Sequence, residues 1–118
     1  MSQVELIRVS AAGSAKTVSF STDHINRMDT ARQIGGQVSE LLDSETWSKA
    51  EADCLNLDFK EIHWISSAAL NELIGINSTA RSQGIKLVLL DVPKNVRDIF
   101  ALTRLERLFE FASSAVHA

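Results

Sequence analysis

The chain has 118 residues, of which 45% are hydrophobic, and a formal net charge of −3 at pH 7. This is enough apolar material for one small domain with its own core, so we predict a single domain over residues 1–118. The slight acidic excess argues against a nucleic-acid-binding surface, which needs clustered lysine and arginine to meet the phosphates. Cys54 is the only cysteine, which excludes an intramolecular disulfide.

The sequence shows no sign of a membrane segment. Its N-terminal residues do not combine a basic start with an apolar stretch, as a secretory signal would. No uninterrupted apolar run approaches the roughly 20 residues that cross a bilayer. We therefore expect a cytoplasmic protein with no membrane partner.

The first predicted elements are two strands. Val4–Ser10 and Lys16–Ser21 alternate between apolar and polar side chains, which is the period of a half-buried strand. The small residues of Ala11–Ala15 between them indicate a turn. The segment is therefore predicted to form an N-terminal hairpin.

A helix is predicted to follow from Met28, since apolar residues recur at three- and four-residue steps as far as Leu42. Asp29 is a plausible N-cap. Gly35 and Gly36 lie inside this helix, where each costs up to about 1 kcal/mol relative to alanine. They either permit close packing on the sheet or mark a weak helix, and the pattern leaves both possibilities open.

Residues 43–53 are polar apart from Trp47 and are predicted to connect this helix to the next strand. We expect the Trp47 side chain to cover the edge of the sheet. The strand itself begins at Cys54, because three apolar side chains alternate with more polar ones on the opposite face. The apolar face consists of Leu55, Leu57 and Phe59.

The junction after this strand is the most informative part of the chain. From Ser66 the apolar period becomes helical and continues until Gly84 supplies a stop. Ser66 is the natural N-cap, so its hydroxyl would accept a hydrogen bond from an amide of the first turn. Ser67, at the first helical position, would point its hydroxyl toward solvent. The simplest interpretation is that the two serines only cap the helix.

The C-terminal third completes the pattern. Leu87–Leu90 is continuously apolar, which is typical of a strand buried on both faces near the centre of a parallel sheet. Pro93 ends it, and a third helix follows. The predicted inner face of that helix consists of Val96, Ile99 and Phe100, with Leu102 and Leu105 as further candidates.

Phe109–Ala112 is predicted as a last short strand. The element order is then ββαβαβαβ. This order predicts an α/β fold with a mixed, mostly parallel sheet and helices packed on it.

Enzyme motifs are missing from the sequence. There is no phosphate-binding glycine loop and no G-x-S-x-G nucleophile elbow. His63 precedes Ser67 by four residues and could be imagined as its general base, but nothing indicates a third catalytic group. His24 and His117 are isolated, so we predict no metal site and no cofactor. Asp58 resembles a phospho-aspartate acceptor, but the acidic pair expected after the first strand is absent.

The segment WISSAALNEL, residues 64–73, resembles the signature of STAS domains, the family of anti-sigma factor antagonists and sulphate-transporter tails. In that signature an apolar pair, here Trp64 and Ile65, precedes Asp-Ser-Ser/Thr-Gly-Leu. Ser66 replaces the usual Asp and Ala69 the usual Gly, while Ser67 takes the phosphorylated position. The stretches GIKLVLLDV and VRDIFALTRLERLFEF, further along the chain, resemble the family's later strand and tail.

The resemblance implies a STAS fold and a bacterial partner-switching mechanism. The unphosphorylated protein would bind an anti-sigma factor that is itself a serine kinase of the histidine-kinase-like ATPase fold, freeing a sigma factor for transcription. Phosphorylation of Ser67 would end this binding and a serine phosphatase would restore it. The protein would then be a substrate and ligand and not an enzyme.

The resemblance also implies a docking surface at the start of the helix. Its candidate residues are His63, Trp64, Ser66, Ser67, Ala69 and Asn71. Trp64 has a competing interpretation, because an aromatic residue before a helix can staple the turn to the core. The alternative function is a STAS scaffold that joins a signalling complex without being phosphorylated, and the residues at positions 66 and 69 keep it open.

Overall fold

A computed structural model of the protein describes residues 5–43, Trp47 and residues 52–114. The strands are β1 (Arg8–Ala12), β2 (Ala15–Ser19), β3 (Cys54–Asp58), β4 (Lys86–Leu90) and β5 (Glu110–Ala112). The helices are α1 (Thr22–Asn26), α2 (Met28–Leu41), α3 (Ser67–Ser82) and α4 (Lys94–Leu102), with a 3₁₀ helix at Leu105–Leu108. The predicted α/β element order is confirmed, with α1 and the 3₁₀ helix as additions. No helix in these ranges is long and apolar enough to cross a bilayer.

The strands form one sheet in the order β1-β2-β3-β4-β5. β1 and β2 pair antiparallel, whereas β2, β3, β4 and β5 are parallel to one another. Gly13 forms the hairpin turn with a φ of 59°, a conformation that glycine adopts without steric cost. The predicted hairpin is therefore confirmed, although its turn is shorter than expected and Val4 lies outside the described residues.

One face of the sheet forms the core. Val18, Leu57 and Leu89 are in register on β2, β3 and β4 and are completely buried. They join one hydrophobic cluster with residues of all four helices, such as Ile34 and Phe100. The helices of the described part thus cover this face.

The opposite face is open. Thr17, Asn56 and Val88 lie in register there, and none of them belongs to the core cluster. The prediction that β4 is buried on both faces is nevertheless confirmed, since Leu87 and Leu89 on one face and Val88 on the other are all buried. Val88 is 8% exposed, but it lies between Asn56 and Glu110 of the neighbouring strands. Its burial therefore comes from strands beside it and not from a helix above it.

Side chains on the helices also depart from the simple periodic pattern. On the predicted inner face of the third helix, Val96 and Phe100 are completely buried and Ile99 is half-buried, and Leu105 packs against the core from the 3₁₀ helix. Leu102, in contrast, is 80% exposed. Asp29 does not cap α2, because that helix begins after Arg27 without a side-chain cap. Both residues lie at the end of a helix. The helical period indicates which side of a helix is apolar but does not specify the residue at which the helix begins or ends.

The glycines of α2 have separate environments. A Cβ at Gly35 would collide with the carboxylate of Glu72 on α3, whereas a Cβ at Gly36 would meet open space. Gly35 therefore permits close packing, but against α3 and not against the sheet. Trp47 is buried and its indole N–H donates to the Ala52 carbonyl at 2.7 Å, so it covers the end of the sheet where β3 begins.

Candidate functional site

The candidate site is the junction between β3 and α3. Ser66 has extended backbone angles (φ −96°, ψ 168°), and its Oγ accepts a hydrogen bond from the Ala69 N–H at 3.1 Å. α3 begins at Ser67. The predicted N-cap and the predicted first helical residue are both confirmed.

Ser67 is exposed. Among the described residues its hydroxyl has no hydrogen-bond partner. It occupies the positive end of the helix dipole, where first-turn amides lack partners within the helix. No acidic residue lies in the first turn of α3. An added negative charge on Ser67 would therefore meet a favourable electrostatic environment.

Ser66 differs from Ser67 because its hydroxyl is already occupied. Besides accepting from Ala69, Ser66 Oγ donates to the backbone carbonyl of Asn26 at 3.2 Å. The Ser66 N–H donates to Asn26 Oδ1 at 2.6 Å. The two adjacent serines thus have different chemical roles: Ser66 is a structural cap and Ser67 presents a free hydroxyl.

Asn26 was not among the residues that the sequence singled out. It lies at the end of α1, a five-residue helix too short to give a readable period. A usable local signal was Ser21, whose Oγ accepts from the His24 N–H and caps α1. Nothing in the local sequence indicates that Asn26 contacts a loop 40 residues further along the chain.

The loop before Ser66 is held by its backbone and displays its side chains. The His63 N–H donates to Thr22 Oγ1 at 3.2 Å, and the His63 carbonyl accepts from Asn95 Nδ2 at 2.7 Å. His63 is exposed, and Trp64 is 51% exposed. If Trp64 stapled the turn to the core, its indole would be buried, but about half of this residue is exposed to solvent. Its exposure is what a contact residue requires.

The two remaining candidate residues, Asn71 and Ala69, differ in their exposure to solvent. Asn71 is exposed on α3. Ala69 is completely buried and belongs to the hydrophobic core, which corrects the expectation that its methyl group would contact a partner. A residue with no accessible surface can influence docking only through the packing of α3.

The alternatives to a binding site have little support in the described part of the chain. No group of three His, Cys, Asp or Glu side chains there could hold a metal ion. Asp58 is engaged locally, since Oδ1 accepts from the Lys60 N–H at 3.0 Å and Oδ2 lies 3.6 Å from its ammonium. The prediction that His117 is an isolated histidine lies outside the described residues.

A groove of about 530 Å³, of which Ser67 is not a lining residue, lies between the start of β1 and the ends of β2 and β3. Acidic and basic side chains alternate around it. These are Glu5, Arg8, His24, Asp58, Lys60 and Glu61. Such mixed charge selects no ligand class.

Comparison with protein families places these features in context. The model of the STAS domain matches residues 3–118. No curated protein matches the chain by sequence.

Solved structures share the fold at low sequence identity. The protein TM1081 of Thermotoga maritima superposes with a TM-score of 0.78 at 14% identity, covering 100% of this chain and 89% of the other. An anti-sigma-factor antagonist (STAS) domain protein from Planctomyces limnophilus gives 0.75 at 13% identity, covering 92% and 90%. The anti-sigma factor antagonist SpoIIAA from Bacillus gives 0.68 in its unphosphorylated form at 12% identity, covering 92% and 89%. SpoIIAA has also been solved in a phosphorylated form, with a TM-score of 0.62 at 11% identity and 92% of both chains covered.

Proposed function

The chain belongs to the STAS domain family, and on that premise we propose that it is an anti-sigma factor antagonist controlled by phosphorylation of Ser67. In its unphosphorylated state it binds an anti-sigma factor that is also a serine kinase. Phosphate on Ser67 ends the interaction and a serine phosphatase restores it. The protein supplies a hydroxyl and a surface, and it performs no catalysis.

The observation that carries this proposal is the contrast between the two serines. Ser67 is exposed with an unengaged hydroxyl, whereas the Ser66 hydroxyl both accepts and donates a hydrogen bond. A kinase needs a serine oxygen that can approach the γ-phosphate of ATP in line and lose its proton. Ser67 meets this requirement without any rearrangement of the fold.

The electrostatics of the site favour a switch that acts on the partner. A phosphate adds about −1.5 to −2 charges. In the free protein this charge is stabilised by the dipole and amides of α3. In a complex it would have to be desolvated against the partner, and an unpaired buried charge costs about 3–5 kcal/mol. Binding is thereby controlled without a conformational change inside the domain.

The proposed docking surface, which we call the switch surface, consists of His63, Trp64, Ser66, Ser67 and Asn71. Trp64 is its anchor, because half-exposed aromatic side chains supply much of the binding energy of protein interfaces. Met28 begins α2 two residues after Asn26 and is 68% exposed. As an exposed apolar side chain close to Asn26 in the chain, it is proposed as a further contact residue.

The proposal is tested by phosphosite mapping. The purified protein is incubated with ATP and an extract of its native cells, and mass spectrometry locates any addition of about 80 Da. Phosphate on Ser67 that disappears in Ser67→Ala supports the proposal. If an extract that phosphorylates a control substrate leaves this protein unmodified, the switch is refuted and the scaffold function takes its place.

A further inference from the structure

Two buried polar side chains occur in the described part of the chain, Asn26 and Asn77, each 8% exposed. Asn77 makes one side-chain bond, in which Nδ2 donates to the Leu108 carbonyl at 3.3 Å. Asn26 is tied much more extensively. Its Nδ2 donates to the Thr22 carbonyl at 2.8 Å and to the Trp64 carbonyl at 2.9 Å, in addition to its two bonds with Ser66.

We propose that Asn26 is a positioning residue that holds the switch surface in place and determines that Ser67, and not Ser66, is the hydroxyl available for modification. This inference rests on the proposed function. It assigns a role to Asn26, which lies in another part of the chain and acts without contacting the phosphate or the partner.

The holding role follows from the geometry of the amide. Asn26 Nδ2 donates to the Trp64 carbonyl, and Asn26 Oδ1 accepts from the Ser66 N–H. One side chain therefore fixes both ends of the turn that leads into α3. The bond to Trp64 has a normal length of 2.9 Å and the bond from Ser66 a short one of 2.6 Å, and both lie in a part-buried environment where water cannot easily replace them. Because Trp64 and Ser67 flank this turn, their positions relative to each other depend on it.

The selecting role follows from the chemistry of phosphoryl transfer. The reaction forms a bond between the serine oxygen and phosphorus, breaks the bond to the leaving ADP, and passes the hydroxyl proton to a base. The Ser66 proton is engaged by the backbone carbonyl of Asn26, and one oxygen lone pair is engaged by the Ala69 N–H. The Asn26 side chain keeps Ser66 beside this carbonyl, because its Oδ1 accepts from the Ser66 N–H. Attack by Ser66 would require the release of both bonds and therefore of the cap of α3.

The first experiment measures local opening by amide hydrogen exchange. In Asn26→Ala the Ser66 N–H loses its acceptor, and the turn loses the side chain that connects its two ends. Protection of the Ser66 amide from exchange should therefore fall by about 30-fold or more beyond any change in the core amides. The matched control is Asn77→Ala, which removes an equally buried asparagine from the C-terminal half of α3, away from Ser66 along the helix. It should lower stability without a selective effect at Ser66.

If Asn26→Ala does not fold, Asn26→Asp provides the second variant. It has the same shape and keeps an acceptor for the Ser66 N–H but loses the donor to the Trp64 carbonyl. The Ser66 amide should then lose protection by about tenfold relative to the core amides. Equal protection of Ser66 in the Asn26 and Asn77 variants, after correction for global stability, would refute the holding role.

The second experiment maps phosphate after incubation with ATP and native-cell extract. Wild type and Asn77→Ala should carry phosphate on Ser67 alone. Asn26→Ala keeps the backbone carbonyl but loses the side-chain bonds that hold Ser66 against it, so the Ser66 hydroxyl should be released more often and phosphate should be distributed between Ser66 and Ser67. Exclusive modification of Ser67 in Asn26→Ala would overturn the selecting role. Absence of phosphate from wild type would refute the proposed function and the selecting role together, while the exchange experiment still decides whether Asn26 holds the turn.

Discussion

Replacement of Ser67 by aspartate should weaken partner binding strongly while leaving the fold intact. The side chain at this position is exposed and, among the described residues, its hydroxyl makes no hydrogen bond that the substitution would remove. The first turn of α3 has no acidic residue, so the new carboxylate interacts favourably with the helix dipole by about 0.3–1 kcal/mol. The free energy of unfolding should therefore change by no more than about 1 kcal/mol.

The effect on binding should be much larger. A carboxylate carries less charge than a phosphate, so we take the lower end of the cost of an unpaired buried charge, about 3 kcal/mol. This corresponds to a loss of affinity of roughly a hundredfold. Ser67→Ala, which adds no charge, should retain binding and lose only its regulation.

The two quantities are measured separately. Urea unfolding gives stability, and calorimetric titration with the anti-sigma factor kinase of the same organism gives affinity. Ser82→Asp is the matched control, since it makes the same charge change at the exposed last residue of α3. There it should lower stability, because a negative charge opposes the dipole and the Ser82 bond to the Thr79 carbonyl at 2.7 Å is lost. Unchanged affinity in Ser67→Asp, or an equal loss in Ser82→Asp, would contradict the reasoning.

Four further outcomes are expected. Ser66→Ala removes the cap of α3 and should lower the free energy of unfolding by about 1–2 kcal/mol in urea. Gly36→Ala should raise it by up to about 1 kcal/mol, because the added methyl group meets open space on a helix; a loss of stability would show that this position is packed. Trp64→Ala should weaken binding of the kinase at least tenfold with little change in thermal stability. Hydrogen bonds from the side chain and then the backbone of Ser114 lower the pKa of Asp91 below its usual 3.8. The lowered pKa of Asp91 contributes stability at neutral pH, and this contribution is lost as the pH falls below 3.8 and through the lowered value. The decrease in the free energy of unfolding between pH 6 and pH 3 should therefore be smaller in Ser114→Ala than in wild type.

Much of the fold could be predicted from local pattern. The hairpin, α2, α3 and α4, and the strands at Cys54, Lys86 and Glu110 were all indicated by periods of two or 3.6 residues and by glycine and proline punctuation. These signals are readable because each depends on residues a few positions apart. The two missing elements, α1 and the 3₁₀ helix at Leu105–Leu108, have only five and four residues and are too short to show a helical period.

The candidate site was predictable to the same extent. The cap at Ser66 and the exposed position of Ser67 follow from the local rules for helix N-termini, and the structure confirms both. For Ala69 two expectations conflicted: the apolar period of α3 begins with Ala69 and continues at Leu73, which favours burial, whereas the resemblance placed Ala69 on the docking surface. The structure buries it. Its burial depends on how α3 is rotated over the sheet.

The sequence by itself determined which segments form strands and helices and which hydroxyl stands at the first position of α3, because these features depend on neighbours along the chain. Only the tertiary structure decided that the helices cover one face of the sheet and that Leu102 is exposed. It also decided that Asn26 engages Ser66 and Trp64. These contacts join residues about 40 positions apart, and no local preference specifies them, since they exist only once packing has brought α1 against the turn before α3.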